Sequence, residues 1–71
     1  MTQADKAEVI WGDRKKGWTV RIRVGAEVIQ RHLGKTPARD AEETTIRSSA
    51  VAAAKDDGYA LDPAQVEIHR P

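Results

Sequence analysis

Apolar and polar residues alternate without a break from Trp18 to Val24. Because successive side chains of a β-strand point to opposite faces of a sheet, this alternation predicts a strand with one apolar and one polar face. Thr19, Arg21 and Arg23 lie on the polar face. The apolar face, which we expect to join the core, carries Trp18, Val20, Ile22 and Val24.

Weaker patterns on either side predict two further strands, at 7–11 and 27–33. The segment 12–17 has glycine at both ends, and Gly25-Ala26 is short, so both are typical of turns between antiparallel strands. The register of the third strand follows from its apolar residues. We expect an inward row of Ile29, Arg31 and Leu33 and an outward row of Val28, Gln30 and His32.

A helical pattern follows the third strand and ends near Asp56. The sequence offers two starts: Thr36 as N-cap before Pro37, or Asp40 in a capping box with Glu43. Either start predicts one long helix with a narrow apolar row. The members of that row are Ala38, Ala41, Ile46, Ala50, Ala53 and Ala54.

Alternation returns at 65–69 and predicts a short final strand. The chain is therefore predicted to be α+β: a three-stranded antiparallel meander, one long helix packed on one face, then a short C-terminal strand. We expect a disordered tail at 1–6 and a single domain over 7–69. The predicted core comprises Ile10 or Trp11 together with Trp18, Val20, Ile22, Ile29, Leu33, Ile46, Ala50, Tyr59, Leu61, Val66 and Ile68.

Composition excludes several classes of protein. The chain has no cysteine, so it has no disulfide, thiolate metal site or thiol nucleophile. No apolar run approaches the ~20 residues that cross a bilayer. The first residues also lack the apolar core of a signal peptide. We therefore expect a complete cytoplasmic protein of bacterial or phage type with no membrane partner.

The net charge of +1 conceals a strong asymmetry along the chain. From Gly12 to Arg39 there are eight Lys or Arg and two acids, a net charge of +6. From Asp40 onward there are three bases and seven acids, a net charge of −4. Such asymmetry between halves of a chain indicates a polyanionic partner.

No pattern in the sequence predicts catalysis. His32 and His69 stand outside any metal-ligand spacing, and no glycine-rich loop is present that could cradle a phosphate. The Glu42-Glu43 pair lies near the predicted helix start, where acids favour the helix dipole. We interpret Asp56-Asp57 as an exposed, solvated helix end. We predict that the protein is not an enzyme and has no cofactor, metal or small-molecule substrate.

The polar side of the predicted sheet carries the clearest functional signal. In the register above, Arg21 and Arg23 share it with Gln30 and His32. A β-ribbon fits the major groove of DNA, where such side chains reach phosphates or base edges. We predict duplex DNA as the partner, bound by Lys15, Lys16, Arg21, Arg23, Gln30, His32 and Lys35.

Other interpretations stay open. A half-buried strand must carry polar residues on its wet face, so this basic face can be purely structural. The chain can also be a protein-interaction module or a homodimer, with an end strand pairing edge to edge or the acidic helix docking on a basic surface. Alternation assigns Trp18 to the core. Trp11 could stack on bases if it lay on the basic face.

The segment Gly17–Gly25 resembles the second strand of the arm-type, N-terminal DNA-binding domain of phage integrases, which is related to plant AP2-type domains. The resemblance covers about residues 8–57, and Thr36 and Ala41 fall near that family's Thr and Ala-rich helix. It implies a three-stranded sheet that packs on one helix and enters the major groove. No integrase catalytic residues are present.

Two features depart from the integrase pattern. Leu33 stands where that family has an aromatic residue, and the predicted strand at 65–69 is additional. The complete β-β-β-α-β order is similar to a family of short, uncharacterised bacterial proteins, a resemblance that implies no activity.

Overall fold

A computed structural model describes residues 1–14 and 16–70, and its central strand contains the alternating segment of the sequence. Period-two side chains suit a strand that has a core on one side and solvent on the other. In chain order the elements are β1 (Thr2–Gln3), β2 (Lys6–Gly12), β3 (Gly17–Val24), β4 (Glu27–Gly34), α1 (Glu43–Asp56), β5 (Tyr59–Ala60), a 3₁₀ turn (Pro63–Gln65) and β6 (Val66–His69).

Four of these strands form one sheet in the order β4-β3-β2-β6. The antiparallel pairs β2–β3 and β3–β4 are the predicted meander. β6 runs parallel to β2, an arrangement that requires a crossover, and α1 supplies it. The predicted α+β class is confirmed, with its meander, its helix and its C-terminal strand.

The N-terminal residues are part of the folded structure. β1 pairs in parallel with β5, and the Ala4 N–H donates to the Ala60 carbonyl at 2.8 Å. Ala4 is only 2% exposed, and Lys6 already belongs to β2. The prediction of a disordered tail over 1–6 was therefore wrong for residues 2–6. The main chain of residues 2–4 has partners at 58–60, and the Asp5 N–H donates to the Arg23 carbonyl; no side-chain pattern indicates these partners.

The core lies between α1 and one face of the sheet. Val9, Val20, Ile22 and Ile46 are fully buried there. Val9 pairs with Val20 across the β2–β3 ladder, so Ile10 points to the opposite face, and the option that placed Ile10 in the core was wrong. The inward side of the helix is mostly small, which lets its backbone approach the sheet; its buried residues are Ile46, Ala50, Ala53 and Ala54.

The predicted register of β4 matches the structure. Ile29 pairs with Ile22 and packs against the core, whereas Val28 is 46% exposed. The β3–β4 connection is a two-residue turn in which Gly25 has a φ of +60°. Asp5 fixes this turn, because its carboxylate accepts from the Gly25 N–H at 2.8 Å.

The helix begins later than either predicted start. Its N-cap is Glu42, whose side chain makes no capping hydrogen bond. The preceding loop is held instead by donors from distant elements: Trp18 Nε1–H donates to the Pro37 carbonyl at 2.7 Å, and Arg70 donates to the Ala41 carbonyl at 2.7 Å. Carbonyls satisfied in this way do not need a helix, so tertiary contacts override the local capping signals.

Gly17 allows β3 and β4 to approach closely at one end of the sheet. A Cβ at this position would lie 2.5 Å from the Gly34 carbonyl oxygen. Real Cβ atoms do not come that close to backbone. The glycine that precedes Trp18 is thus a packing requirement, and it brings the ends of β2, β3 and β4 together.

Candidate nucleic-acid interface

The pairing of β3 with β4 brings four of the predicted binding residues onto one face. Arg21 pairs with Gln30, and Thr19 pairs with His32. Arg23 follows Arg21 by two residues on the same strand, so it shares that face. This open face is the side of the sheet away from α1, because the alternate residues Val20 and Ile22 belong to the core.

The two arginines and the glutamine of this open face have no side-chain partner within the described part of the chain. Arg21, Arg23 and Gln30 make no side-chain hydrogen bond or ion pair among residues 1–14 and 16–70. His32 makes one contact, in which its Nδ1 lies 3.4 Å from Thr19 Oγ1. These groups are therefore free to bind a ligand.

Lys6 also belongs to the open face, which the sequence did not indicate. It lies directly opposite Arg23 in the β2–β3 ladder. Like charges directly across a ladder destabilise the pairing. An anion on this face would relieve the repulsion.

The other half of the open face is acidic. Glu8 and Glu67 lie opposite each other on the parallel strands β2 and β6. His69 Nε2 lies 3.4 Å from Glu8 Oε2 and 3.6 Å from Glu67 Oε2. The sequence interpretation of the open face as basic was therefore incomplete: its β3–β4 half is basic and its β2–β6 half is not.

Glu8, Glu67 and His69 are also the residues that could hold a metal ion among those the structure describes. One ligand atom from each lies within 4.8 Å of the others. Their mutual contacts already explain this arrangement, because the imidazole lies between two carboxylates. Between a quarter and three fifths of each side chain is exposed, at 28%, 59% and 51% respectively.

Two predicted binding residues lie away from the open face. Lys16 and Lys35 line a shallow groove of about 470 Å³ at the end of the sheet. Trp11 forms part of the same groove but belongs to the inward row of β2, where it packs edge to face against Trp18 with ring centroids 5.2 Å apart. We call this the end groove; its lining is Trp11, Asp13, Lys16, Lys35, Ala38 and Arg39. The predicted residue Lys15 lies outside the described residues.

Three other arginines act within the fold. Arg31 donates to Asp57 Oδ1 at 2.9 Å and to the Ala53 carbonyl at 3.3 Å. Arg47 donates to the carbonyls of Pro63 and Val66, and Arg70 donates to those of Arg39 and Ala41. These arginines satisfy carbonyl groups at the helix end and in loops, so they do not belong to a ligand site.

No protein family, curated protein or solved structure matches this chain. Within the described residues, α1 is too short and too polar to pass through a bilayer.

Proposed function

We propose that the protein binds nucleic acid through the β3–β4 half of its open face. The observation that carries this proposal is the contrast in partners. Arg21, Arg23 and Gln30 share one face and make no side-chain hydrogen bond or ion pair within the described chain. Arg31, one strand away and on the opposite face, donates to the Asp57 carboxylate and to the Ala53 carbonyl.

The spacing of the two arginines suits a phosphate backbone. Residues two apart on a strand are separated by about 7 Å. This length equals the axial rise of two phosphates on one strand of DNA, about 3.4 Å each. The two arginines can therefore contact two phosphates of the same DNA strand, and counterion release would supply most of the affinity.

Gln30 and His32 add hydrogen-bonding capacity beside the arginines. Gln30 lies directly across from Arg21, and His32 lies across from Thr19. Glutamine can bind the edge of adenine with two hydrogen bonds in the major groove. Because Glu8 and Glu67 repel phosphates, the footprint should be a two-stranded ribbon and not the whole sheet.

The proposal uses the sheet face implied by the resemblance to arm-type integrase domains. In this chain the meander comprises β2, β3 and β4, with α1 on one face, and β6 adds a fourth strand on the acidic side. The ribbon that would enter the groove lies at the opposite edge from this addition.

The test compares two variants with the same change of charge. Arg21→Glu alters the proposed interface, and Lys55→Glu alters the exposed last turn of α1. Fluorescence anisotropy with a generic labelled duplex should show at least a tenfold loss of affinity for Arg21→Glu and about a twofold change for Lys55→Glu. In the wild type, the affinity for duplex should fall steeply as salt rises. A plot of the logarithm of the association constant against the logarithm of the salt concentration should have a slope of about −0.9 for each phosphate contact.

Two results would contradict the proposal. One is an equal loss of affinity in the two variants, since a long-range charge effect explains it without an interface. The other is an amide-shift titration at low salt in which residues of β3 and β4 do not move. Far-UV circular dichroism of each variant checks that it is folded.

A second candidate function is association through the edge of β4, either with a partner protein or with a second copy of this chain. β4 is eight residues long, lies at the edge of the sheet, and exposes 46% of Val28. An inward-pointing charge such as Arg31 is a common protection against such pairing. Sedimentation equilibrium decides the homodimer case: a strictly monomeric chain removes it.

A further inference from the structure

We infer that the end groove binds an unpaired nucleotide, with its base on Trp11 and its phosphate between Lys35 and Arg39. This inference rests on the proposed function, because it assigns a second part of the interface to the same class of ligand. It also concerns residues that the open face does not contain.

The composition of the end groove fits a nucleotide better than a bare anion. Trp11 is part of its lining and is only partly buried, so indole surface remains available. Lys16, Lys35 and Arg39 supply three positive charges at exposed positions. A phosphate needs only the charges, whereas a base needs a flat aromatic surface such as the indole.

The fold holds the indole in place. Trp11 packs edge to face on Trp18 with an interplanar angle of 79°. Trp18 is completely buried and donates its Nε1–H to the Pro37 carbonyl at 2.7 Å. Because Trp18 is buried and hydrogen-bonded, Trp11 packs on a fixed neighbour and loses little freedom when a base stacks on it.

Asp13 is the single carboxylate in the lining of the end groove. An acid beside three cations weakens the binding of a simple phosphate. The same carboxylate can accept a hydrogen bond from an exocyclic amino group of a base, as acidic side chains do with cytosine. The groove is therefore suited to a base with an attached phosphate.

A duplex does not present such a ligand, because its bases are stacked and paired. The ligand is therefore a free nucleotide, or an unpaired nucleotide at the end of a strand or in a single-stranded segment. Base stacking on one aromatic side chain is worth about a five- to 150-fold gain in affinity, so single strands should bind better than blunt duplex.

The test is an NMR titration of the ¹⁵N-labelled protein with adenosine 5′-monophosphate, ribose 5-phosphate and adenosine. We expect the monophosphate to shift the Trp11 indole N–H and the amides of Lys35 and Arg39. The buried Trp18 indole serves as an internal reference and should move much less. Ribose 5-phosphate should leave both indoles unchanged, and adenosine should bind at least threefold more weakly than the monophosphate.

Variants separate the end groove from the open face. Lys35→Ala and Arg39→Ala change exposed side chains, and each should lower monophosphate affinity at least threefold. Lys55→Ala is the matched control on the helix and should have no effect. Arg21→Ala tests the proposed function separately: it should weaken duplex binding and leave the monophosphate shifts unchanged.

An eight-nucleotide single strand with a 5′-phosphate distinguishes the two sources of the ligand. Binding at least tenfold tighter than the free monophosphate assigns the groove to strands, and equal binding assigns it to free nucleotides. The inference is overturned if the Trp11 indole stays unmoved at millimolar monophosphate, or if ribose 5-phosphate produces the same shifts. Neither result concerns the binding of duplex by Arg21. Failure of the end-groove inference can therefore be distinguished from failure of the proposed function.

Discussion

The two faces of the sheet place the same residue type in opposite situations. Arg31, on the helix-facing side of β4, has a side chain that is 38% exposed and contacts Asp57, Asp56 and the Ala53 carbonyl. Arg21, on the open side of β3, has none of these contacts. The chain supplies anionic partners for the first arginine and leaves the second to solvent or to a ligand. The face on which an arginine lies, more than its residue type, thus decides whether the fold supplies its partners.

The helix end explains why Arg31 is needed. Asp56 and Asp57 lie at the C-terminus of α1, where the helix dipole disfavours negative charge. Arg31 places its guanidinium 2.9 Å from Asp57 and 3.8 Å from Asp56. The interpretation of this acidic pair as merely solvated was therefore incomplete, since it also binds β4 to the helix.

Both faces of the sheet include side chains of β3. We therefore expect the largest loss of stability from a substitution where β3 is most tightly packed. Gly17→Ala would place a Cβ 2.5 Å from the Gly34 carbonyl oxygen. The strands must separate to admit it, and we expect the free energy of unfolding to fall by about 3 kcal/mol. Urea denaturation followed by tryptophan fluorescence measures the change.

Gly12→Ala is the matched control for Gly17→Ala. Its added Cβ meets nothing closer than 3.9 Å, so it should change stability by less than about 1 kcal/mol. If the two alanine variants are equally stable, the close approach of β3 and β4 is not required. The open face and the end groove would then not depend on this close approach.

The next largest loss of stability is expected on the helix-facing side of β3. Trp18→Phe removes the donor to the Pro37 carbonyl and leaves a small cavity in the core. We expect a loss of about 2 kcal/mol, because a buried acceptor loses its partner. Trp11→Phe changes a less buried ring of the same size and should cost less than half as much. Equal losses for the two variants would show that the hydrogen bond contributes nothing.

A paired substitution tests the comparison of the two arginines directly. Arg31→Met should lower the free energy of unfolding by about 1 kcal/mol, a modest figure because its ion pairs are partly exposed. Arg21→Met should change it by less than about 0.5 kcal/mol. Duplex affinity should respond in the opposite order, falling for Arg21→Met and staying constant for folded Arg31→Met. If both variants weaken duplex binding equally, the face on which an arginine lies does not decide whether it stabilises the fold or binds the duplex.

The sequence predicted those parts of the fold in which side-chain pattern and burial agree. Trp18 to Val24 alternates strictly because one face of β3 is fully buried and the other is open. The inward placement of Ile29 followed from the same logic. The run Val9-Ile10-Trp11 has no alternation, so only its pairing with β3 determines that Val9 is buried and Ile10 is not.

The parts that sequence reasoning missed depend on pairings between distant segments. β1 and β5 are two residues each and are joined by main-chain hydrogen bonds, which leave no mark in the side-chain pattern. The helix begins later than the sequence predicted because Trp18 and Arg70 donate hydrogen bonds to carbonyls of the preceding loop. Glu8 and Glu67 became neighbours only through the parallel pairing of β2 with β6, which alternation alone does not reveal.

The smallest expected change is a gain in duplex affinity from a substitution at the boundary between the basic and acidic halves of the open face. Glu8 pairs with Arg21 in the ladder, yet its carboxylate contacts His69 and not the arginine. Glu8→Gln removes a negative charge beside the proposed interface, so duplex affinity should rise about two- to fivefold at low salt. The gain should vanish at high salt, because exposed charges are then screened.

Glu67→Gln separates this charge effect from a change in the sheet. Glu67 lies one strand further from Arg21 and is more exposed, so its neutralisation should raise affinity less than that of Glu8. Anisotropy titrations at two salt concentrations compare the variants. A larger gain in duplex affinity for Glu67→Gln than for Glu8→Gln would indicate that the duplex lies over β6. That result would contradict an interface on the β3–β4 half of the open face.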